Sequence, residues 1–307
     1  MIDTHCHLYP EFGFVTKTPE EIVEECIKNG VTQMWLAATE KADILWNLEF
    51  CIKYPKNIKT WVGWHPEQYK SFDEHFLSDL LEKNSKSQNL NSPTLTNFDL
   101  GHPGGSETTD RIYNLDSSAL PQNDNEEANT KYQILDTIFS PIVGIGEVGL
   151  DFAAHPKSTK EDQVKVFESQ LKLAQKYNLP VAIHCRDAFE EMIEVMTKYK
   201  DIKYLWHCFN LSKEKTEIIF KEFSNIYVGI NAIFTYKSGE YIKESLKIIP
   251  QNKLLIETDA PFLAPRPFKY SFNTPLGVKE VYSALSEYLG IDSTKLEVLI
   301  RENSLNF

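Results

Sequence analysis

The sequence predicts an α/β chain folded as a (β/α)8 TIM barrel. Three observations predict it. Eight short apolar runs with little internal alternation recur along the chain, as parallel strands covered on both faces should. Helical periodicity fills the gaps between them. Residues of metal-ligand type stand at the C-terminal ends of six of the runs, on the one face where such a barrel carries its chemistry. A length of 307 residues suits one barrel, so residues 1–307 read as a single domain. The even number of runs favours a closed barrel over an open doubly wound sheet.

The elements follow in order. The first run is Met1–His5. Thr18-Pro19-Glu20-Glu21 then forms a capping box with Pro at the first helical position, and Ile22, Val23, Cys26 and Ile27 follow at helical spacing until Gly30. The second and third runs are Val31–Ala37 and Ile58–His65, and the fourth is Pro141–Glu147. An amphipathic helix carrying Val164, Phe167, Leu171 and Ala174 breaks near Asn178-Leu179-Pro180. The remaining runs are Pro180–His184, Lys203–His207, Ile226–Asn231 and Lys253–Thr258. Helices are expected over roughly 212–223, 241–249 and 278–289. Between the third and fourth runs, residues 84–130 are rich in Asn, Ser, Thr, Asp, Gly and Pro. They read as a polar low-complexity surface insertion, with a lid or partner arm as the functional alternative.

Composition narrows the functional classes. An apolar fraction of 42% is enough for a large core. No run approaches the ~20 apolar residues of a membrane span, and no basic segment followed by an apolar stretch opens the chain, so neither a membrane anchor nor a signal peptide is expected. The five cysteines lack regular spacing and fit a reducing compartment, giving a cytoplasmic or nuclear location as the expectation. A formal net charge of −12 argues against broad wrapping of nucleic acid but leaves room for a local site charged by metal cations.

The strand ends then define a site. His5 and His7 sit at i and i+2, so both point one way while Cys6 points away. Further along stand His65, Glu147, His184 with Arg186, His207, and Asp259 after Glu257-Thr258. Imidazole with carboxylate suits Zn, Mn, Ni or Fe, and Mg where oxygen donors suffice. Six ligands (His5, His7, Glu147, His184, His207 and Asp259) exceed what one catalytic zinc takes, which points to two divalent ions, Mg, Mn or Zn. His5, His7 and Asp259 would serve one ion, His184 and His207 the other, with Glu147 as the bridge. Asp259 would also orient a water and accept its proton. His65 reads as a contact to a substrate oxygen or a turn residue, and Arg186 as an anion clamp or a surface ion pair. Cys6, Cys185 and Cys208 read as small buried hydrophobes turned from the site, and Cys26 and Cys51 as helix core.

The stretches "IDTHCHL", "GWHP", "GEVGLDF", "HCRDA", "HCF" and "ETDAPFLAP", in this order, resemble the TatD family of metal-dependent hydrolases within the amidohydrolase-like barrels. The resemblance implies a TIM barrel, a two-metal centre on the same six residues, and DNase-type hydrolysis of phosphodiester bonds, with DNA or an oligonucleotide as substrate. The chain departs from the family at Asn210-Leu211, where Ser-Gly commonly follows "HCF". It departs again at Phe272-Asn273-Thr274-Pro275, where the family usually carries Arg-Asn-Glu-Pro. Two other readings stay open: an amide or ester hydrolase on the same barrel, which the absence of a lysine at the fourth strand end disfavours, and a non-catalytic binding module.

Overall fold

The computed structural model describes residues 1–10, 17–90, 141–154, 159–266 and 272–307. The chain forms two compact units, one of Met1–Leu77 with Pro141–Phe307 and one of Ser78–Ser140. The first unit holds eight parallel strands in the order β1 to β8. They are β1 (Ile2–Cys6), β2 (Gln33–Leu36), β3 (Ile58–Val62), β4 (Ile142–Asp151), β5 (Val181–Arg186), β6 (Tyr204–Trp206), β7 (Ile226–Ile230) and β8 (Leu254–Ile256). All eight expected runs are strands, and the fold is a TIM barrel. The last and first strands meet through backbone bonds beyond the ends of the sheet. Asp259 N donates to His5 O at 2.9 Å, and His7 N to Ala260 O at 2.7 Å.

The helices between them are α1 (Pro19–Lys28), α2 (Lys41–Lys53), α3 (Glu74–Leu90), α4 (Lys160–Tyr177), α5 (Phe189–Met196), α6 (Lys213–Glu222), α7 (Ile242–Leu246), α8 (Val278–Leu289) and α9 (Ser293–Asn306). The capping box at Thr18 is present, with Glu21 N donating to Thr18 Oγ1 and Thr18 N to the Glu21 carboxylate. One expectation needs correcting. The insertion was expected from residue 84, but α3 continues as helix through Leu90. Asn84 is buried, and a Glu82–Lys86 pair at i,i+4 supports that turn, so polar composition alone misplaced the boundary. The rest of the stretch, 91–130, lies outside the described residues.

The barrel interior is filled by Ile2, Trp35, Ala37, Trp61, Ala182, Leu205, Tyr227 and Leu255, with Phe307 packed on Trp61 and Tyr227 at ring distances of 5.8 and 5.0 Å. Alternation carries this inner face upward into the site. Ala182 leads to His184, Leu205 to His207, and Leu255 to Glu257, each by a step of two. On β1 strict alternation from Ile2 would turn His5 outward. A register slip against β2 between Asp3 and Cys6 brings it back.

Candidate metal centre

Glu147 stands at the middle of the site, and the backbone around it is irregular. The pairing of β4 with β5 slips between Ile145 and Val148, and the Gly146–Glu147 peptide is cis. Gly149, at φ +147°, lies so close to β5 that a Cβ there would sit 2.0 Å from His184 O, so only glycine lets these strands approach. The Glu147 carboxylate is buried, and its two oxygens divide the histidines. Oε2 lies 3.3 Å from His5 Nε2 and 3.6 Å from His7 Nε2. Oε1 lies 2.7 Å from His184 Nδ1 and 3.2 Å from His207 Nε2. Asp259 Oδ1 lies over the same group, 3.6 Å from His7, 3.9 Å from His5 and 3.9 Å from His207. The six residues expected to converge are thus together, with Glu147 Oε2 towards His5 and His7 and Oε1 towards His184 and His207.

Two of the imidazoles have a polar group directly behind them. His7 Nδ1 faces Ala37 O at 3.1 Å, which places the proton there and turns the Nε2 lone pair inward. His207 Nδ1 lies 3.1 Å from Oε1 of Glu257, a fully buried carboxylate that accepts hydrogen bonds from Cys208 N at 2.7 Å and Asn231 Nδ2 at 3.3 Å. A Cβ at Gly229 would lie 2.1 Å from Glu257 Oε2, so that glycine makes the slot. Asp3, also fully buried, accepts from Thr258 N and Oγ1 at 2.9 and 2.6 Å and from His5 N at 3.3 Å, tying β1 to the end of β8. Burial pushes the Asp3 carboxyl up to about 8, against these hydrogen bonds. Sequence reasoning assigned neither Asp3 nor Glu257 a role. The signal for Glu257 was available, because it stands two residues after Leu255 in the expected eighth run and so continues the inner face.

His184 is clasped by two carboxylates, with Nδ1 on Glu147 and Nε2 3.0 Å from Asp151 Oδ2. Burial works against its charge, but Asp151 and Glu147 outweigh burial and raise it to about 9. Burial and the neighbouring charge of His207 push His5 down to about 4. Burial opposes the charge on His207 too, yet Glu147, Glu257 and Asp259 hold it well above the ordinary value. His65 differs from the others. Its Nδ1 accepts from Glu67 N at 3.2 Å, and burial drives its pKa to about 3. A neutral ring accepting at Nδ1 carries its proton on Nε2, which lies 3.7 Å from Glu147 Oε1. His65 is therefore built as a donor into the site. Arg186 stands at the rim, largely exposed, with Nη1 4.0 Å from Asp151 Oδ2. Asp151 itself fixes the loop after β4 by accepting from Ala153 N and Ala154 N.

Among the cysteines, Cys6 turns away to Trp35 O, as expected. Cys208 departs from that expectation. Its φ of +48° breaks the alternation, and its sulfur lies within 4.8 Å of ligand atoms of His207 and Asp259. Burial pushes its thiol up to about 12, so it faces the cluster as a neutral group.

The residues fit a bound cation. Both His5 ring nitrogens are buried without a hydrogen-bond partner, in a cluster rich in carboxylate oxygen. A buried imidazole left unbonded is costly, and a divalent ion satisfies it. His5, His7 and Glu147 form one ligand-competent group, and His65, Glu147 and His184 another. The donor orientation of His65 makes the second group's ligands Glu147 and His184.

The family model described as TatD related DNase matches residues 2–307. YabD of Bacillus subtilis, an uncharacterised metal-dependent hydrolase, is 36% identical over 165 residues, covering 53% of this chain and 64% of that protein. The human 3'-5' RNA nuclease TATDN2 is 41% identical over 126 residues, 40% of this chain and 17% of that one. The 3'-5' ssDNA/RNA exonuclease TatD of Escherichia coli K12 is 34% identical over 178 residues, covering 55% and 67%. The chain thus spans about two thirds or less of these relatives' lengths. In structure, the TatD homologue YJJV of Escherichia coli superposes with a TM-score of 0.73 at 20% identity, covering 99% of this chain and 96% of that one. This last likeness concerns the fold.

Proposed function

Because the chain belongs to the TatD-related DNase family, we propose that it is a divalent-metal-dependent hydrolase that cleaves phosphodiester bonds in single-stranded nucleic acid. The observation that carries this reading is the Glu147 carboxylate, one oxygen of which faces His5 and His7 and the other His184 and His207, with Asp259 across them. His5, His7 and Asp259 would hold one cation and His184 and His207 a second, with Glu147 shared. When bound, the cations supply Lewis-acid charge for the phosphoryl oxygens and make a nearby water more acidic.

The chain's own groups do the rest. Asp259 is the most open of the four carboxylates around the histidines, with 12% of its side chain accessible, and it accepts the proton of the attacking water. Water oxygen bonds to phosphorus as the bond to the leaving sugar oxygen breaks. His65 donates from Nε2 to a substrate oxygen, and Arg186 meets the strand's phosphate at the rim. Glu257 keeps His207 in the tautomer that presents Nε2. Substrates here are DNA or RNA, and the location that suits them is cytoplasmic or nuclear. Among the described residues no helix is long and apolar enough to cross a membrane.

The test compares a single-stranded oligonucleotide with small amides and lactones, each with Mg, Mn or Zn, alongside elemental analysis of the purified protein. Oligonucleotide cleavage that Asp259→Asn and His207→Ala lower by at least about 10³-fold, with the fold intact, is the expected result. Turnover of amides or lactones alone would overturn the reading, and full activity in either variant would overturn the site.

A further inference from the structure

The loop after β8 rises from Asp259 and exposes an aromatic ring beside the cluster. Phe262 is 50% exposed, and its ring lies edge-on to His7 with centroids 6.2 Å apart. The loop under it is fixed. Phe262 N donates to Asp259 O, and the buried Asn273 amide donates to Phe262 O at 2.8 Å and Thr258 O at 3.2 Å. Four residues on, the Arg266 guanidinium lies over the Tyr236 ring at 5.4 Å, and Tyr236 donates its hydroxyl to Ala264 O at 2.8 Å. Arg266, Tyr236, Lys237 and Ser238 line an open cleft of about 390 Å³ between the loops after β7 and β8. No carboxylate of the described residues lies within 4.0 Å of the Arg266 or Lys237 charge. In a chain of net charge −12 this is a cationic notch on the chemical face of the barrel, where loops 7 and 8 of such folds commonly take phosphate.

We propose that Phe262 and the Arg266–Tyr236 cleft form one binding track for single-stranded nucleic acid, the ring stacking on a base next to the scissile phosphate and the cleft taking a backbone phosphate further along. The inference rests on the phosphodiesterase reading above and names the contacts that make a strand a better substrate than a small ester. At most about 14 Å of chain separates the two contacts, so a strand anchored at the cluster reaches both within its first few nucleotides. Stacking accepts any base, and the guanidinium, held over Tyr236 at 5.4 Å, presents its N–H groups to phosphate. Such a track favours single strands, because a base paired in a duplex hides the face that the ring would cover.

Two measurements test it on the full chain. The first is fluorescence anisotropy of a labelled thymidine decanucleotide with EDTA-treated protein. Arg266→Glu should weaken binding at least about tenfold and flatten the salt dependence by about 0.7 in log–log slope, the loss of one phosphate contact. Phe262→Ala should weaken the thymidine strand about tenfold but an abasic decanucleotide, measured in the same way, far less. The second is the ratio of kcat/KM on that oligonucleotide to kcat/KM on methyl 4-nitrophenyl phosphate, with metal present. Both variants should lower this ratio at least about tenfold, with circular dichroism unchanged. Binding and ratio equal to those of the unaltered chain would overturn the track. Altered binding in a protein that cleaves neither ester would uphold the track and overturn the phosphodiesterase reading instead.

Discussion

At the scale of the residue, a carboxylate is useful here for what it faces. Glu147 is shared between two histidine pairs, while Glu257 stands behind His207 and is held there by Cys208 N and Asn231 Nδ2. Glu257→Gln should therefore lower metal affinity about 10- to 100-fold without unfolding the chain, measured by competition with a chromophoric chelator. Loss of all metal-independent structure would instead make Glu257 a core group. The histidine charges predict proton release. His184 at about 9 and His207 well above the ordinary value are protonated at pH 7 in the metal-free protein, and a ligating imidazole must be neutral. Metal loading should release protons at pH 7, and affinity should rise towards pH 9. Calorimetry in buffers of differing ionisation enthalpy reads both. The stability sign follows from the same shift. A raised folded pKa on His184 stabilises the metal-free protein fully below about 6.5, and that contribution is lost as pH climbs through about 9. Metal-free protein should therefore melt earlier at pH 9 than at pH 7.

At the scale of the element, β4 and α4 build the site together. Gly149→Ala would force β4 off β5 at His184, and should cost at least about 2 kcal/mol and metal binding with it, read by urea unfolding and metal content. The amphipathic reading of α4 was right about Phe167, Leu171 and Ala174, but two buried glutamines do what apolar periodicity could not reveal. Gln170 bonds Trp64 N and O, and Gln163 bonds Asp151 N and O, fixing the loops that carry His65 and Asp151. Thr18→Ala should remove the α1 cap for about 1 kcal/mol and leave the site's activity alone. An equal loss of activity would mean that α1 bears on the site.

At the scale of the whole molecule, the barrel converts a long sequence separation into a contact. His5 and His207 stack with ring centroids 3.7 Å apart although about two hundred residues lie between them. A cation bound across such contacts stabilises the folded state only, so saturating Mn or Zn should raise the melting temperature in proportion to the logarithm of its concentration, and EDTA should reverse the gain. A melting temperature indifferent to metal would detach the cluster from any tight ion.

Eight apolar runs, the helical periods between them and the ligand-type residues at the run ends were legible because strand and helix periods and strand-end chemistry are local properties of a chain. The convergence of the six residues followed once the barrel was assumed. What the tertiary structure decided lies between segments: Glu257 behind His207, Asp3 beneath Thr258, the glutamine clamps of α4, the donor tautomer of His65 and the turn that brings Cys208 to the cluster. Each depends on a neighbour distant in sequence and on backbone irregularity near β1, β4 and β6. Periodicity cannot report these, because a slip of one residue exchanges the two faces of a strand.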